Sequence, residues 1–125
     1  MKNFKDELLV ESIGKKWVLK RSFSFYYLDP KKKLLTKNVI IPEGFITDFA
    51  STPRLLYSIF PPIGIYNKAT IIHDFLYSSL STNLTRKESD KFFLQSMEVL
   101  KVKKWKRNLM YLSVRIFGKK KFKTR

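Results

Sequence analysis

An aspartate in the middle of an apolar helix stripe constrains this chain more than any other feature. Thr85-Arg86-Lys87-Glu88 is a capping box with Thr85 as N-cap and Glu88 at N3, so it fixes the start of a helix over 86–100. With the start fixed, the phase follows. Phe93, Leu94, Met97 and Leu100 share one stripe, and Asp90 falls among them. A carboxylate at such a position is costly to bury unless a donor meets it. The nearest suitable donor is the single histidine of the chain, His73, 17 residues earlier on an apolar-periodic segment over 66–80. The spacing therefore predicts two antiparallel helices with the His73 ring on Asp90. Tyr77 lies one turn beyond His73 on the same face, while Asp74 is turned about 100° away, toward a cleft or an ion. Ala69, Ile72, Phe75 and Leu76 supply the apolar side, which places His73 at the edge of the core.

The N-terminal third reads as strands. From Lys16 to Leu28, the set Trp17, Leu19, Arg21, Phe23, Phe25 and Tyr27 alternates with Val18, Lys20, Ser22, Ser24 and Tyr26, predicting one strand. Asp29-Pro30-Lys31-Lys32 is a type I turn signature, and Leu34 to Ile41 returns as the partner. Pro42-Glu43-Gly44 turns the chain again, and Phe45-Ile46 is short enough for one more strand. Ser51-Thr52-Pro53 opens a helix with a hydroxyl cap and an early proline, and Pro61-Pro62 ends it. Helices over 66–80, 86–100 and 103–117 follow. The expected fold is α+β: an N-terminal antiparallel β-hairpin or small sheet, then three to four helices. One domain over 1–118 is expected, followed by a basic, disordered tail over 119–125.

The titratable residues suggest a site. A carboxylate on His73 orients the imidazole and stabilises its protonated form, as a base that activates water requires. Asp74 beside it is suited to a hard cation such as calcium, and Asp48 in the polar stretch Thr47–Arg54 is a second oxygen ligand. Equally, His73, Tyr77 and Asp90 can form a satisfied polar cluster that only fixes helix pairing. Asp48 and Ser51 can likewise satisfy turn and helix-start amides, or Asp48 can pair with Arg54.

Over residues 40–117 the chain resembles a family of small uncharacterised bacteriophage and prophage proteins, known as a domain of unknown function. The shared strings are Pro42-Glu43-Gly44-Phe45-Ile46-Thr47-Asp48-Phe49-Ala50-Ser51-Thr52-Pro53-Arg54, Pro61-Pro62-Ile63-Gly64 and His73-Asp74-Phe75-Leu76-Tyr77. Over about residues 64–95, the His73-Asp74-x-x-Tyr77 pattern followed by Ser89-Asp90-Lys91-Phe92-Phe93 is also similar to the helix pair of calcium-dependent secreted phospholipases, particularly the form in parvovirus capsids. That similarity implies His73 as base for the attacking water, Asp90 as its orienting carboxylate, Asp74 as calcium ligand and Tyr77 as a hydrogen-bonding support. Those enzymes precede the His-Asp pair with a glycine-rich loop whose carbonyls hold calcium, whereas this chain has only Ile63-Gly64-Ile65-Tyr66-Asn67 there, with a single glycine.

Composition removes other chemistries. No cysteine is present, so thiol catalysis, Cys-zinc sites and disulfides are excluded, and one histidine excludes multi-His zinc centres. No glycine-rich phosphate loop supports nucleotide-triphosphate chemistry. No apolar run reaches the length of a membrane span and the start, with Lys2, Lys5, Asp6 and Glu7, is unlike a signal peptide, so the expected location is host cytoplasm or virion.

The net charge is +16 and uneven: residues 101–125 hold 11 of the 26 Lys and Arg and no acid. In the helix over 103–117, Trp105, Leu109, Leu112 and Ile116 form one stripe, expected to pack inward. Met110, Val114 and Phe117 are expected to emerge among Lys103, Lys106 and Arg107. A basic helix with an apolar outer face suits an anionic membrane surface or an acidic partner, with Arg54, Lys103, Lys106 and Arg107 as binding cations. Three functions follow as expectations: a phospholipase-like hydrolase at an anionic membrane, a non-enzymatic phage virion or host-interaction protein, and a charge-driven nucleic-acid binder.

Overall fold

The computed structural model describes residues 3–14, 16–47, 67–78 and 84–118. The chain forms two compact units, residues 1–48 and 49–125. The first is built of antiparallel strands and the second carries three helices, an α+β arrangement. The helix expected after Ser51, together with Asp48, Arg54 and the 119–125 tail, lies outside the described residues.

In the first unit, β1 (Phe4–Lys5), β4 (Phe23–Asp29) and β5 (Leu34–Ile41) form one sheet in the order β1-β4-β5. β2 (Val10–Ile13), β3 (Lys16–Leu19) and β6 (Ile46–Thr47) form a second, in the order β2-β3-β6. The hairpin β4-β5 closes at Asp29, whose Oδ1 accepts from the amides of Lys31 at 2.8 Å and Lys32 at 3.1 Å. Those two amides hold the Asp29 carboxyl below its ordinary range.

The single strand expected over Lys16–Leu28 is in fact two strands in different sheets. Leu19 pairs with Val10, whereas Phe23 pairs with Ile41, so the chain changes sheet across Lys20-Arg21-Ser22. Alternation could not reveal this, because residues on both sides of the break keep the same apolar phase. The change is held by backbone bonds from Leu19 N–H to Phe45 O and from Lys20 N–H to Leu9 O, both 2.8 Å. Among the described residues of this unit, Leu19, Phe23, Phe25, Val39 and Ile41 are the buried apolar ones, and the Phe4 ring lies 4.9 Å from that of Phe25.

The second unit contains α1 (Asn67–Ser78), α2 (Arg86–Val99) and α3 (Lys104–Phe117). Thr85 caps α2 as expected: its side chain accepts from the Glu88 amide at 3.1 Å, while Glu88 accepts from the Thr85 amide at 3.0 Å. At the other end Lys101 adopts a left-handed conformation (φ 63). This lets Lys101 N–H bond Glu98 O and Val102 N–H bond Met97 O, both at 3.0 Å, a Schellman motif. The turn buries Val102 and leads directly into α3. Ala69, Phe93, Met97, Val102, Met110 and Val114 form one apolar cluster across the three helices.

Two expectations are corrected here. His73 lies inside the core, 3 % exposed, rather than at its edge. The faces of α3 are largely exchanged: Met110 and Val114 are buried, while Trp105, Leu112 and Ile116 are exposed; Leu109, packed against the core cluster, and Phe117, exposed, stay on the expected side. The outer set forms the cleaner stripe, but the turn at Lys101 and Val102 presents the Met110 side to α2, and connection geometry outweighs apparent amphipathicity.

Candidate functional site

The site is built around Asp90. The capping box sets the phase of α2 so that Asp90, fully buried, faces α1 beside Phe93. His73 and Tyr77, four residues apart on α1, reach it together. His73 Nε2 lies 3.0 Å from Asp90 Oδ1, and Tyr77 Oη donates to the same oxygen at 2.5 Å. From α3, Arg115 Nη1 donates to Asp90 Oδ2 at 2.7 Å. One carboxylate thus accepts from two neighbouring helices as well as anchoring its own.

The charge state follows from those partners. Burial alone would raise the Asp90 pKa, but the bonds from His73, Tyr77 and Arg115 outweigh it and hold the carboxyl below its ordinary range. Asp90 is therefore ionised near neutral pH and can only accept, so His73 Nε2 carries a hydrogen and donates. Tyr77 is pushed well above its ordinary range by burial and by the Asp90 charge, so its phenol remains a donor and is no base at neutral pH. The bond to Asp90 likewise raises Arg115 above its ordinary value. The His73 ring is held by stacking as well, with centroids 4.0 Å from Tyr77 and 4.6 Å from Phe93.

Two residues of the site escape a reading for acid/base chemistry. Arg115 neutralises Asp90, and Arg86 binds the C-terminal turn of α3, its Nη2 reaching Val114 O at 2.9 Å and Arg115 O at 2.5 Å. A faint signal exists: only six of the 26 basic residues are Arg, and a guanidinium is the cation suited to several fixed acceptors at once. Gly118 completes the packing, because a Cβ there would stand 2.9 Å from Tyr77 Oη and 2.4 Å from Val114 O.

Of the other expected residues, Asp48 and Arg54 lie outside the described residues. Asp74 is half-buried on α1. Among the described residues no group of three or more His, Cys, Asp or Glu comes together to hold a metal ion. Lys103 is exposed before α3, Lys106 Nζ lies 5.6 Å from the Trp105 ring centroid, and Arg107 Nη1 caps Val102 O at 3.1 Å. Arg107 is thus committed to the α2–α3 turn. No described helix is long and apolar enough to cross a membrane.

No curated protein and no solved structure matches the chain at a significant level. The profile of one family, DUF1353, described as a protein of unknown function, matches residues 17–114, from β3 into the last turn of α3, and includes His73, Tyr77 and Asp90 but stops just before Arg115. The chain therefore belongs to the DUF1353 family.

Proposed function

We propose that the protein is a small hydrolase of lipid esters in which His73 is the base. The observation that carries this reading is the 3.0 Å contact between His73 Nε2 and Asp90 Oδ1. It fixes the tautomer, and a fixed tautomer is what a histidine base needs. In the proposed step, Nδ1 takes a proton from water as the water oxygen bonds to the ester carbonyl carbon. The carbon–oxygen bond to the alcohol then breaks, and the proton passes from Nδ1 to the leaving oxygen. Asp90 orients the ring, and Tyr77 holds Asp90. Arg115 already balances the Asp90 charge, so the carboxylate contributes orientation more than basicity.

That same pairing favours a second reading, a non-enzymatic phage protein in which the cluster clamps three helices. Asp90 is saturated by three donors and fully buried, as in a structural network. The two readings separate in one experiment: release of fatty acid from phosphatidylglycerol vesicles, with and without millimolar calcium, by the wild type and His73→Gln. The hydrolase reading expects turnover by the wild type and its loss in a His73→Gln protein that still unfolds cooperatively. Absence of turnover under both conditions, with His73→Gln lowering the melting temperature, supports the clamp. The calcium arm also tests Asp74, since a native site would raise the melting temperature and Asp74→Asn would remove that rise.

A further inference from the structure

We propose that the outer face of α3 seats the protein on an anionic lipid surface. Trp105, Leu112 and Ile116 are 56 %, 55 % and 59 % exposed. At about 100° per residue these positions and the half-buried Leu109 fall within about 60° of one another. They form a narrow stripe along the helix, with Leu109 at its edge, where it packs against the core cluster. Met110 and Val114 point the other way, into the cluster with Phe93 and Met97. Isolated exposed apolar residues are ordinary, whereas three large ones aligned on one helix mark a surface that meets something.

Charge identifies the occupant. Residues 101–125 carry 11 Lys and Arg and no acid. Lys103 caps α3 without a side-chain hydrogen bond, and the first turn holds no acid. Cations at a helix N-terminus oppose the helix dipole, so Lys103 and Lys104 bring nothing to the folding of α3. Lys106 and Lys104 lie roughly a quarter turn or slightly more to either side of the stripe. A helix lying in a membrane interface has this distribution, with the stripe at the acyl boundary and lysines level with acidic headgroups. Nucleic acid would use the charge and leave the stripe without a role. This inference rests on α3 alone and is independent of His73.

The test is co-sedimentation with vesicles of phosphatidylcholine, with and without phosphatidylglycerol, at two salt concentrations. The proteins are the wild type, a Trp105→Ser, Leu112→Ser, Ile116→Ser triple variant, a Lys103→Gln, Lys104→Gln, Lys106→Gln variant, and His73→Gln. The expected result is wild-type binding that requires phosphatidylglycerol and falls by about a hundredfold in the serine variant at low salt. The glutamine variant should bind more weakly, and His73→Gln should bind like the wild type. All substituted residues except His73 are away from the core, and the melting temperature of each variant checks folding. The proposal is overturned if the wild type ignores anionic vesicles at low salt, or if the serine variant binds them undiminished. It is also overturned if sedimentation velocity shows the stripe buried between two copies, with a wild-type dimer that the serine variant dissociates.

Discussion

Helices α2 and α3 are both 14 residues long and both amphipathic, yet they relate to the core in opposite ways. In α2 the stripe drawn from sequence is the buried one, and even its polar member, Asp90, finds donors. In α3 the stripe drawn from sequence faces outward and a less regular set, Met110, Ser113 and Val114, is buried. The difference lies in the anchors. The phase of α2 is tied to the core by a carboxylate that requires His73, Tyr77 and Arg115. α3 has two apolar faces, and the cleaner one in sequence, carrying Trp105, Leu112 and Ile116, is the one left outside. Periodicity locates a face, and only a partner decides whether it points inward.

The comparison breaks first at Asp90. Asp90→Ala leaves three buried or half-buried donors without their acceptor and should cost about 3–5 kcal/mol in denaturant unfolding, the usual loss when one member of a buried pair is removed. A loss below about 1 kcal/mol would show that the cluster does not hold α2 to its neighbours. The same residue predicts the acid limb. Its folded pKa lies below the unfolded value, so its stabilisation is present above the ordinary carboxylate range and is lost as pH falls through that range, from about 4 downward. Asp90→Asn should flatten this part of the stability profile, and an unchanged acid limb would assign it to other groups.

For α3 the sharpest contrast is between its two faces. Met110→Ala should cost about 2–5 kcal/mol, as a large-to-small change in a packed core. Trp105→Ser, Leu112→Ser and Ile116→Ser should each stay within about 0.5 kcal/mol. Were thermal melts to give the reverse order, the sequence-derived orientation of α3 would be the right one.

Gly118→Ala probes where α3 ends against Tyr77. Its φ of −81 suits any residue, so the constraint is space alone. The added methyl should cost about 1–3 kcal/mol by overpacking, and a neutral outcome in urea unfolding would mean that the helix end moves aside. The smallest effect concerns the turn between the two helices. Lys101→Gly should raise stability by about 0.5–1 kcal/mol, because glycine occupies the left-handed position without a Cβ penalty. A decrease would indicate that the Lys101 side chain contributes to the turn beyond its backbone conformation.

The α+β order, strand β5, the capping box of α2 and the pairing of His73 with Asp90 were legible in the sequence. Each rests on a local rule or on a buried charge that allows few solutions. β1 and β2 were not legible, since Phe4–Lys5 is too short to show a period and Val10–Ile13 carries only a weak one. The division of 16–28 between two sheets escaped because strand alternation specifies faces and not partners.

What the sequence determined by itself is therefore the three described helices, strand β5, and that Asp90 must find a donor. The tertiary structure decided which of the many cations completes that donor set, drawing Arg115 from 25 residues away, and which face of α3 is left outside. Both depend on the path of the chain through Lys101 and Val102. Lys101 takes the left-handed conformation in that turn, and no periodicity within α3 encodes which of its faces turns inward.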